Sequence, residues 1–254
     1  MNFIDVFILS LIEGLTEFLP ISSTGHLIIA SHFLKIESLF VTQFNIIIQF
    51  GAIMAVIAIY WKKFFPINLE FYKKVVLGFL PSAIIGLVIK NKIDSLLTSV
   101  SIVAWALLIG GIVLIIVERY IIKKKVANIQ ISKLTSFKCI AIGLCQCLAF
   151  IPGVSRSAST IIGGLLFGLN KKDATEFSFF LAVPTLAGAT LLKTLKIYPT
   201  IQSDQVWFLI IGLLLSFIFA IIAIRGFVSL VSRGVFQWFG IYRIILGATI
   251  LIIM

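Results

Sequence analysis

Residues 13–27 read EGLTEFLPISSTGHL, and they interrupt an apolar segment that runs from residue 3 to residue 34. Pro20 and the Ser-Ser-Thr-Gly run behind it break a helix that enters this stretch, because proline removes a backbone hydrogen bond. Within lipid, a break is tolerated only where protein or water satisfies the freed backbone groups. Two short helices that enter and leave through one membrane face meet this condition better than one kinked span. The stretch therefore predicts a re-entrant helix hairpin.

The composition of the whole chain indicates that lipid is its main solvent. Of its 254 residues, 60% are hydrophobic and 12% are charged, and the mean hydropathy is +1.16. A soluble domain has about 25% charged residues, so this chain has too few to cover a surface that faces water. Basic membrane loops explain the net charge of +11 better than nucleic-acid binding, since aromatic and basic residues do not alternate on any polar segment.

Six further apolar runs are long enough, or nearly so, to cross a membrane, which takes about 20 residues. They are 44–61, 75–89, 102–118, 177–195, 206–224 and 239–254. A second broken segment covers 136–168 and has PGVSRS at 152–157 near its middle. The chain therefore has six predicted spans and two predicted re-entrant hairpins.

The two broken segments belong to an internal repeat. EFLPISST at 17–24 resembles AFIPGVSRS at 149–157, and FNIIIQFGAIMA at 44–55 resembles FSFFLAVPTLAG at 177–188. The two offsets are nearly equal, at 132 residues between the prolines (152 − 20) and 133 between the first phenylalanines (177 − 44). Two matches at almost one offset indicate a repeat that extends along the chain.

The repeat determines the predicted architecture. Each half has one hairpin and three spans, and because three is an odd number, the second half is upside down relative to the first. We predict an all-α integral membrane protein, an inverted repeat of two halves, each with one re-entrant helix hairpin and three transmembrane helices. The chain forms a single transmembrane domain, 1–254, with halves at about 1–120 and 133–254. Sites in such repeats lie near the middle of the membrane, where broken helices meet.

Basic residues are distributed unevenly between the two faces of this layout. One face has fourteen: Lys62, Lys63, Lys73, Lys74, Arg119, Lys123, Lys124, Lys125, Lys133, Lys138, Lys171, Lys172, Arg225 and Arg233. The opposite face has five: Lys35, Lys90, Lys92, Lys193 and Lys196. Because cytoplasmic loops carry the excess of Lys and Arg, we expect both termini outside. No basic residue precedes Lys35, so no cleavable signal peptide is expected.

Glu13 and Glu17 lie four residues apart, on one face of the first short helix. Burial of either charge in lipid costs about 2.5–3.5 kcal/mol on insertion scales, so their place in an apolar segment indicates a function. Two neighbouring carboxylates at low dielectric do not both stay ionised unless a cation is present. The alternative is an interfacial N-terminus with both carboxylates in water.

The first tip also has groups that bind anions. Ser22, Ser23 and Thr24 lead into the second short helix, whose free N–H groups and hydroxyls are suited to an anion. His26 follows, and a histidine can act as general base, general acid or nucleophile near neutral pH. A lone histidine beside such a cap is more often a structural hydrogen-bond partner.

Arg156 supplies positive charge at the second tip, between Ser155 and Ser157 at the start of another helix. A guanidinium binds phosphate through two parallel hydrogen bonds and keeps its charge at any pH. The sequence therefore predicts a phosphate site formed by both tips. The alternative is a structural ion pair between Arg156 and Glu13 or Glu17.

Further polar residues lie in the spans. Gln49, Glu176 and Ser178 are candidates to line the same cavity, because the repeat relates their spans. Tyr242 and Arg243 in the last span are interpreted as helix-packing or lipid-headgroup contacts. The three cysteines predict neither a disulfide framework nor a zinc site, since their number is odd and the one Cys-x-Cys pair has no second pair.

In four places the sequence resembles the undecaprenyl-pyrophosphate phosphatases, also known as bacitracin-resistance proteins. The first two places are EGLTEFLPISSTGHL at 13–27 and PGVSRSAST at 152–160, and both motifs are long and specific. EFSFFLAVP at 176–184 and YRIILG at 242–247 are also similar to family segments. The resemblance extends over the whole chain, with the segments in the expected order.

The resemblance implies a bacterial plasma-membrane enzyme that removes the terminal phosphate of undecaprenyl pyrophosphate. The product is the C55 monophosphate lipid carrier of peptidoglycan synthesis, and the activity confers bacitracin resistance. The resemblance also implies a divalent cation, Mg²⁺ or Ca²⁺, an active site that faces outside, and a homodimer. By motif position, the catalytic residues are Glu13, Glu17, Ser23, His26 and Arg156.

On this interpretation Glu13 and Glu17 hold the cation. The phosphates are bound by Ser22, Thr24, Ser155, Arg156 and Ser157. The nucleophile stays open between Ser23, with His26 or Glu17 as its base, and water, with His26 as base. Two other functional classes also stay open: a transporter or lipid flippase, which shares the inverted-repeat architecture, and a lipid-binding scaffold without turnover.

Overall fold

The computed structural model describes residues 1–96, 99–124, 128–197, 201–231 and 236–253, and within these ranges the side chains of all residues except 90–95, 121–124, 196, 197 and 204. Regular structure in these ranges is helical, apart from one bridge between Ile129 and Leu169. Of the basic residues assigned to a face, Lys125 and Arg233 lie outside the described residues, as do the side chains of Lys90, Lys92, Lys123, Lys124 and Lys196.

The helices are numbered in chain order. They are α1 Phe3–Thr16, α2 Ser23–Phe33, α3 Leu39–Ile47, α4 Gln49–Ile59, α5 Trp61–Phe64, α6 Leu69–Leu96, α7 Val100–Lys124, α8 Ser136–Gln146, α9 Arg156–Leu166, α10 Lys171–Ile197, α11 Ser203–Val231 and α12 Phe236–Ile253. Short 3₁₀ turns cover Ile131–Lys133 and Cys147–Phe150.

Six helical segments in the described part of the chain are long and apolar enough to cross a membrane, as predicted. They are Leu39–Ile59, Leu69–Ile89, Val100–Tyr120, Lys171–Leu195, Gln205–Val231 and Phe236–Ile253. Most extend past the predicted apolar runs, because polar turns continue a helix beyond the hydrocarbon core. Their outer side chains are large and apolar; Val88, Trp105 and Ile245 are 79%, 54% and 61% exposed. The chain is a multi-pass membrane protein.

The two broken segments form pairs of shorter helices. Helix α1 has 14 residues, and α2, α8 and α9 have 11 each. At about 1.5 Å per residue they are about 16–21 Å long, which is less than the roughly 30 Å of a hydrocarbon core. The breaks lie at Pro20 and Pro152, where the sequence predicts them.

Helices α7 and α12 approach each other closely, and this contact places α12 next to the breaks at Pro20 and Pro152. A Cβ at Gly111 would lie 2.6 Å from the carbonyl oxygen of Gly240, and a Cβ at Gly240 would lie 2.8 Å from that of Gly111. Only glycine permits this separation, as in other close contacts between membrane helices. Beside the breaks the core is aromatic: Phe18 is fully buried and meets Phe179 of α10 edge to face at 5.2 Å.

Candidate active site

The first tip, between α1 and α2, ends in a strained backbone conformation. Ser22 caps α2 with a φ of 71°, and its hydroxyl accepts a hydrogen bond from the N–H of Gly25 at 3.3 Å. A left-handed conformation costs a non-glycine residue about 1–3 kcal/mol and is often found at functional sites. The first N–H groups of α2 have no partner within the helix, so this tip presents free donors.

The second tip repeats this geometry. Ser155 caps α9 with a φ of 70°, and its hydroxyl accepts from the N–H of Ala158 at 3.2 Å. Gly153 has a φ of 94° in the turn before it, and a Cβ there would lie 2.7 Å from the carbonyl oxygen of Val103. Glycine is therefore required at this position. Two helix N-termini of the same form, each suited to an anion, lie in the two tips.

Glu17 joins the two tips. Its Oε2 accepts a hydrogen bond from the Ser23 hydroxyl, and its Oε1 accepts from Nη2 of Arg156 at 2.8 Å. The side chains of Arg156 and Glu17 are only 9% and 5% exposed, so this ion pair is shielded from water. The ion pair that the sequence left as an alternative is present, and it brings the acidic and cationic tips together.

Ser178 and Phe18 contact the guanidinium of Arg156 and fix its position. Its Nη1 donates to the carbonyl oxygen and the hydroxyl of Ser178, at 2.9 and 3.3 Å, and its Cζ lies 5.7 Å from the centre of the Phe18 ring. Its Nε is buried and has no hydrogen-bond partner within the described residues. Nη2 makes only the bond to Glu17 among the described residues, so a second N–H on Nη2 is also without a partner. A fixed guanidinium with two such N–H groups is suited to acceptor oxygens of a ligand.

A cavity of about 180 Å³ opens where the tips meet. Seven predicted residues line it: Glu17, Ser22, Ser23, Thr24, Gln49, Ser155 and Arg156. Three polar residues that the sequence reasoning missed also line it, and they are bonded to one another. Nε2 of Gln146 donates to the hydroxyls of Ser82 at 2.6 Å and Thr185 at 3.1 Å. The only signal in the sequence was a polar side chain inside an apolar segment.

Glu13 is not among the residues that line this cavity. It is fully buried, and neither of its carboxylate oxygens has a hydrogen-bond partner within the described residues. Burial of such a group is costly unless a proton or a cation compensates it. Its oxygens fit a divalent cation such as Mg²⁺ or Ca²⁺, which prefers carboxylate ligands. The described residues contain no group of three or more His, Cys, Asp and Glu side chains that is suited to a metal ion, so further ligands would come from phosphate or water.

Ser157 and Ser178 support the tips rather than line the cavity. The Ser157 hydroxyl donates to the carbonyl oxygen of Leu19 at 2.6 Å, so it accepts the hydrogen of the Ser155 hydroxyl at 3.0 Å. The first bond ties the second tip to the first. The Ser178 hydroxyl accepts from Thr160 at 2.7 Å as well as from Arg156. The phosphate contact predicted for Ser157 is replaced by this structural bond.

Glu176 lies apart from the site. It is two residues from Ser178, and two residues turn a helix by about 200°, so the two side chains point in nearly opposite directions. Glu176 lines a separate cavity, where its carboxylate is 4.0 Å from Nζ of Lys172. The prediction that Glu176 shares a cavity with Gln49 is wrong for this reason.

His26 faces the last helix and does not line the cavity. Its Nδ1 lies 2.7 Å from the carbonyl oxygen of Ser22, and its Nε2 lies 2.7 Å from the hydroxyl of Tyr242. A carbonyl oxygen only accepts, so Nδ1 carries the hydrogen and the lone pair of Nε2 accepts from Tyr242. The two rings are nearly parallel, at 6°. His26 therefore has no free lone pair in this arrangement.

Comparison with known proteins agrees with these features. A family model described as "Bacitracin resistance protein BacA" matches residues 6–249. The chain belongs to the BacA family. Relatives named undecaprenyl-diphosphatase are similar along their whole length. The protein from Bdellovibrio bacteriovorus is 51% identical, over 100% of this chain and 97% of the relative. The protein from Flavobacterium psychrophilum is 46% identical, over 100% of this chain and 96% of the relative. The protein from Methanococcus aeolicus is 45% identical, over 99% of this chain and 98% of the relative.

Two residues of this BacA-family chain that the sequence analysis assigned to packing or lipid contacts lie against the tips. Tyr242 bonds to His26, as described, and Arg243 is fully buried. Arg243 donates to the carbonyl oxygens of Pro20 in the first tip and Gly153 in the second, at 3.1 and 3.0 Å. The headgroup interpretation of Arg243 is therefore wrong. The signal in the sequence was a charged residue in an apolar span. Insertion of such a charge into lipid costs about 2.5–3.5 kcal/mol, so its presence indicates a function.

Proposed function

We propose that this protein is an undecaprenyl-diphosphatase, which hydrolyses undecaprenyl pyrophosphate to the C55 monophosphate lipid carrier of cell-wall synthesis. One observation carries the proposal. A carboxylate, a serine hydroxyl and a guanidinium meet in one cavity, at the starts of two helices, in a membrane-spanning BacA-family chain. Phosphoryl transfer needs a nucleophile, a base and a positively charged phosphate ligand, and these three side chains can supply them.

The inverted repeat with two re-entrant hairpins is supported by the correspondence of the two halves. A pair of short helices and three spans occur in the first half, and the same order recurs in the second. Ser22 and Ser155 are equivalent caps, 133 residues apart (155 − 22), with nearly equal φ. This correspondence supports one domain with two halves, at about 1–120 and 133–254. A re-entrant arrangement places both tips near the middle of the membrane.

The site faces the outside of a bacterial plasma membrane in our proposal, with both termini outside. The excess of basic residues on the face that carries Lys63 supports this orientation. A thiol-reactive reagent that does not cross membranes should label Lys35→Cys and not Lys63→Cys in intact cells, in a chain without its three native cysteines. Labelling of Lys63→Cys alone contradicts the orientation.

A homodimer is also proposed, from the family resemblance, and a monomer mass by light scattering in detergent contradicts it.

Arg156 and the first N–H groups of α9 bind the terminal phosphate in the proposed mechanism, and the hydroxyls of Ser22 and Thr24 contribute nearby. Ser155 contributes its backbone N–H, because its hydroxyl hydrogen is donated to Ser157. Arg156 keeps N–H groups without a partner on Nε and Nη2, so an arriving phosphate does not have to replace Glu17. These donors face charge that grows during phosphoryl transfer, in a site with little water. The prenyl tail stays in lipid between the spans.

Ser23 is the proposed nucleophile and Glu17 its base, because the serine already donates its hydroxyl hydrogen to this carboxylate. Its Oγ forms a bond to the terminal phosphorus, the bond from that phosphorus to the bridging oxygen breaks, and undecaprenyl phosphate leaves while Glu17 takes the proton. Water then cleaves the phosphoserine and releases inorganic phosphate. His26 is not the base in this arrangement, since its Nε2 accepts from Tyr242. Direct attack by water is the alternative.

Replacement of Ser23 by alanine separates these two mechanisms. If the serine is the nucleophile, we expect kcat for phosphate release to fall about a thousandfold, and acid quenching of the unaltered enzyme to trap phosphoserine from substrate labelled in its terminal phosphate. Ser31→Ala is the matched control, since Ser31 is a buried serine of the same helix that does not line the cavity. A Ser23→Ala enzyme that keeps more than about a tenth of its kcat favours water.

A divalent cation, Mg²⁺ or Ca²⁺, is the proposed cofactor, with Glu13 and Glu17 as its protein ligands. The two unpartnered oxygens of Glu13 support this assignment. Such a cation, when bound, supplies positive charge that polarises a phosphoryl oxygen.

Purified protein in detergent is expected to release phosphate from undecaprenyl pyrophosphate, and chelation by EDTA is expected to lower the rate at least about a hundredfold. Added Mg²⁺ or Ca²⁺ should restore the rate. Full activity in EDTA, in protein that contains no metal by mass spectrometry, contradicts the cofactor. Absence of phosphate release with every metal contradicts the proposed function itself.

A further inference from the structure

Arg243 has all five of its N–H donors bound to main-chain carbonyl oxygens. Nε donates to Leu107 at 3.4 Å, Nη1 to Pro20 at 3.1 Å and Val154 at 3.2 Å, and Nη2 to Ala106 at 3.1 Å and Gly153 at 3.0 Å. An arginine has five such donors and no acceptor, so the capacity of this side chain is fully used. The acceptors belong to the first tip, the second tip and the first half of α7. One side chain in α12 thus joins three separate segments of the chain.

The positive charge of Arg243 is not neutralised by an acidic neighbour. Its side chain is fully buried, and no carboxylate of the described residues lies within 4.0 Å of its guanidinium. The charge of Arg156, by contrast, is paired with Glu17. At low dielectric an unpaired charge acts over several ångströms, and pyrophosphate brings negative charge to the site.

The bonds of Arg243 also affect the direction of the donors in the second tip. In a trans peptide unit, the C=O and the N–H that follows it point in opposite directions. The carbonyl of Val154 points to Arg243, so the N–H of Ser155 points away from the guanidinium. Ser155 and Gly153 both line the cavity. A change in the position of the guanidinium would therefore move the peptide units that form the tip.

We propose that Arg243 is a positioning residue for phosphate transfer. It fixes the two tips relative to each other through hydrogen bonds to the carbonyls of Pro20, Gly153 and Val154. It also adds a positive charge, without an acidic partner among the described residues, beside the tips. It acts without contact to the substrate. This inference rests on the proposed function, because the reaction that it assists is phosphoryl transfer.

Gly110 in α7 offers a way to move the guanidinium without replacing the arginine. A Cβ at Gly110 would lie 2.1 Å from Nη2 and 2.8 Å from Cζ of Arg243. The end of a flexible side chain, rather than backbone, must yield to this methyl group. Alanine also favours a helix over glycine by about 1 kcal/mol, so the helix itself is not weakened. A Cβ at Gly226 in α11 would meet no described atom within 4 Å beyond the backbone of its own helix, which makes Gly226→Ala a matched control.

The experiment compares Arg243→Lys, Gly110→Ala and Gly226→Ala, purified in detergent and assayed on undecaprenyl pyrophosphate under conditions in which the unaltered protein is active. We expect kcat to fall about a hundredfold in Arg243→Lys, because lysine keeps the charge but lacks the planar fork of five donors. A fall of about tenfold is expected in Gly110→Ala, with none in Gly226→Ala. KM should change less than about threefold, and melting temperatures should stay within a few degrees of the control.

A second measurement does not depend on turnover. Orthovanadate resembles the phosphoryl group during transfer, so its affinity, measured by calorimetry, should fall in parallel with kcat in Arg243→Lys and Gly110→Ala. The inference is overturned if Gly110→Ala keeps both its kcat and its vanadate affinity. It is also overturned if both losses only follow a loss of folded protein. If the unaltered protein binds vanadate but releases no phosphate, the proposed function fails, while a vanadate affinity that depends on Gly110 and Arg243 still supports the positioning role.

Discussion

Replacement of Arg156 by alanine is expected to lower phosphate release from undecaprenyl pyrophosphate at least about a thousandfold. The change removes the guanidinium that lines the cavity and leaves Glu17 without its cationic partner. Arg156→Lys should restore only a small part of the rate, because one ammonium group cannot reproduce the bonds to both Glu17 and Ser178. The measurement is kcat and KM for phosphate release by purified protein in detergent.

The Arg156 result needs a check on folding, since removal of one partner from a buried ion pair can cost about 3–5 kcal/mol of stability. Arg225→Ala is the matched control, because Arg225 is an exposed arginine of α11 outside the cavity. Melting temperatures of both variants show whether the lost activity exceeds the lost folded fraction. An Arg156→Ala protein that is folded and fully active would contradict the proposed site.

Replacement of Glu17 by glutamine is the second change with a large expected effect. Glutamine has nearly the shape of glutamate, so the contacts to Ser23 and Arg156 remain possible while the negative charge is lost. In the proposed mechanism the site then has no base for the Ser23 hydroxyl and one less carboxylate for a cation. We expect kcat to fall at least about a thousandfold, with a smaller change in KM.

Glu37→Gln is the control for the glutamate change, because the Glu37 side chain is 63% exposed and pairs with His32 at the surface. Its kcat should stay within about twofold of the unaltered protein, as surface ion pairs contribute little. If Glu17→Gln keeps most of its activity, Glu17 is not the base, and a water mechanism with a different base becomes the better description.

Much of the architecture could be predicted because hydropathy and proline act locally. Six apolar runs became six helical segments of spanning length, the first of them formed by α3 and α4, and the breaks lie at Pro20 and Pro152. The ends of the helices were predicted less well. Helix α10 begins at Lys171, whereas the apolar run begins at 177, because polar residues continue a helix once its hydrogen-bond ladder has started.

The site was predicted in part, and two residues that were missed or misassigned share one cause. Residues in the two motifs, such as Glu17, Ser23 and Arg156, meet in the cavity, since the motifs form the two tips. Gln146 and Arg243 lie outside the two motifs that form the tips, and their contacts are with partners that are distant in the sequence. Gln146 bonds to Ser82, 64 residues away, and no local pattern indicates such a contact.

The sequence by itself determined that the chain lies in lipid, that two apolar segments are broken, and that acidic and cationic groups lie at opposite breaks. These are properties of composition and of short windows, which do not depend on how the helices pack. Only the tertiary structure decided that one carboxylate, Glu17, is shared by Ser23 and Arg156, and that His26 is occupied by Tyr242. It also decided that a buried arginine in the last helix joins both tips. Apart from the bond between Glu17 and Ser23, which lie in the same tip, each of these contacts joins segments whose distance in space is set by helix packing, which short sequence patterns do not encode.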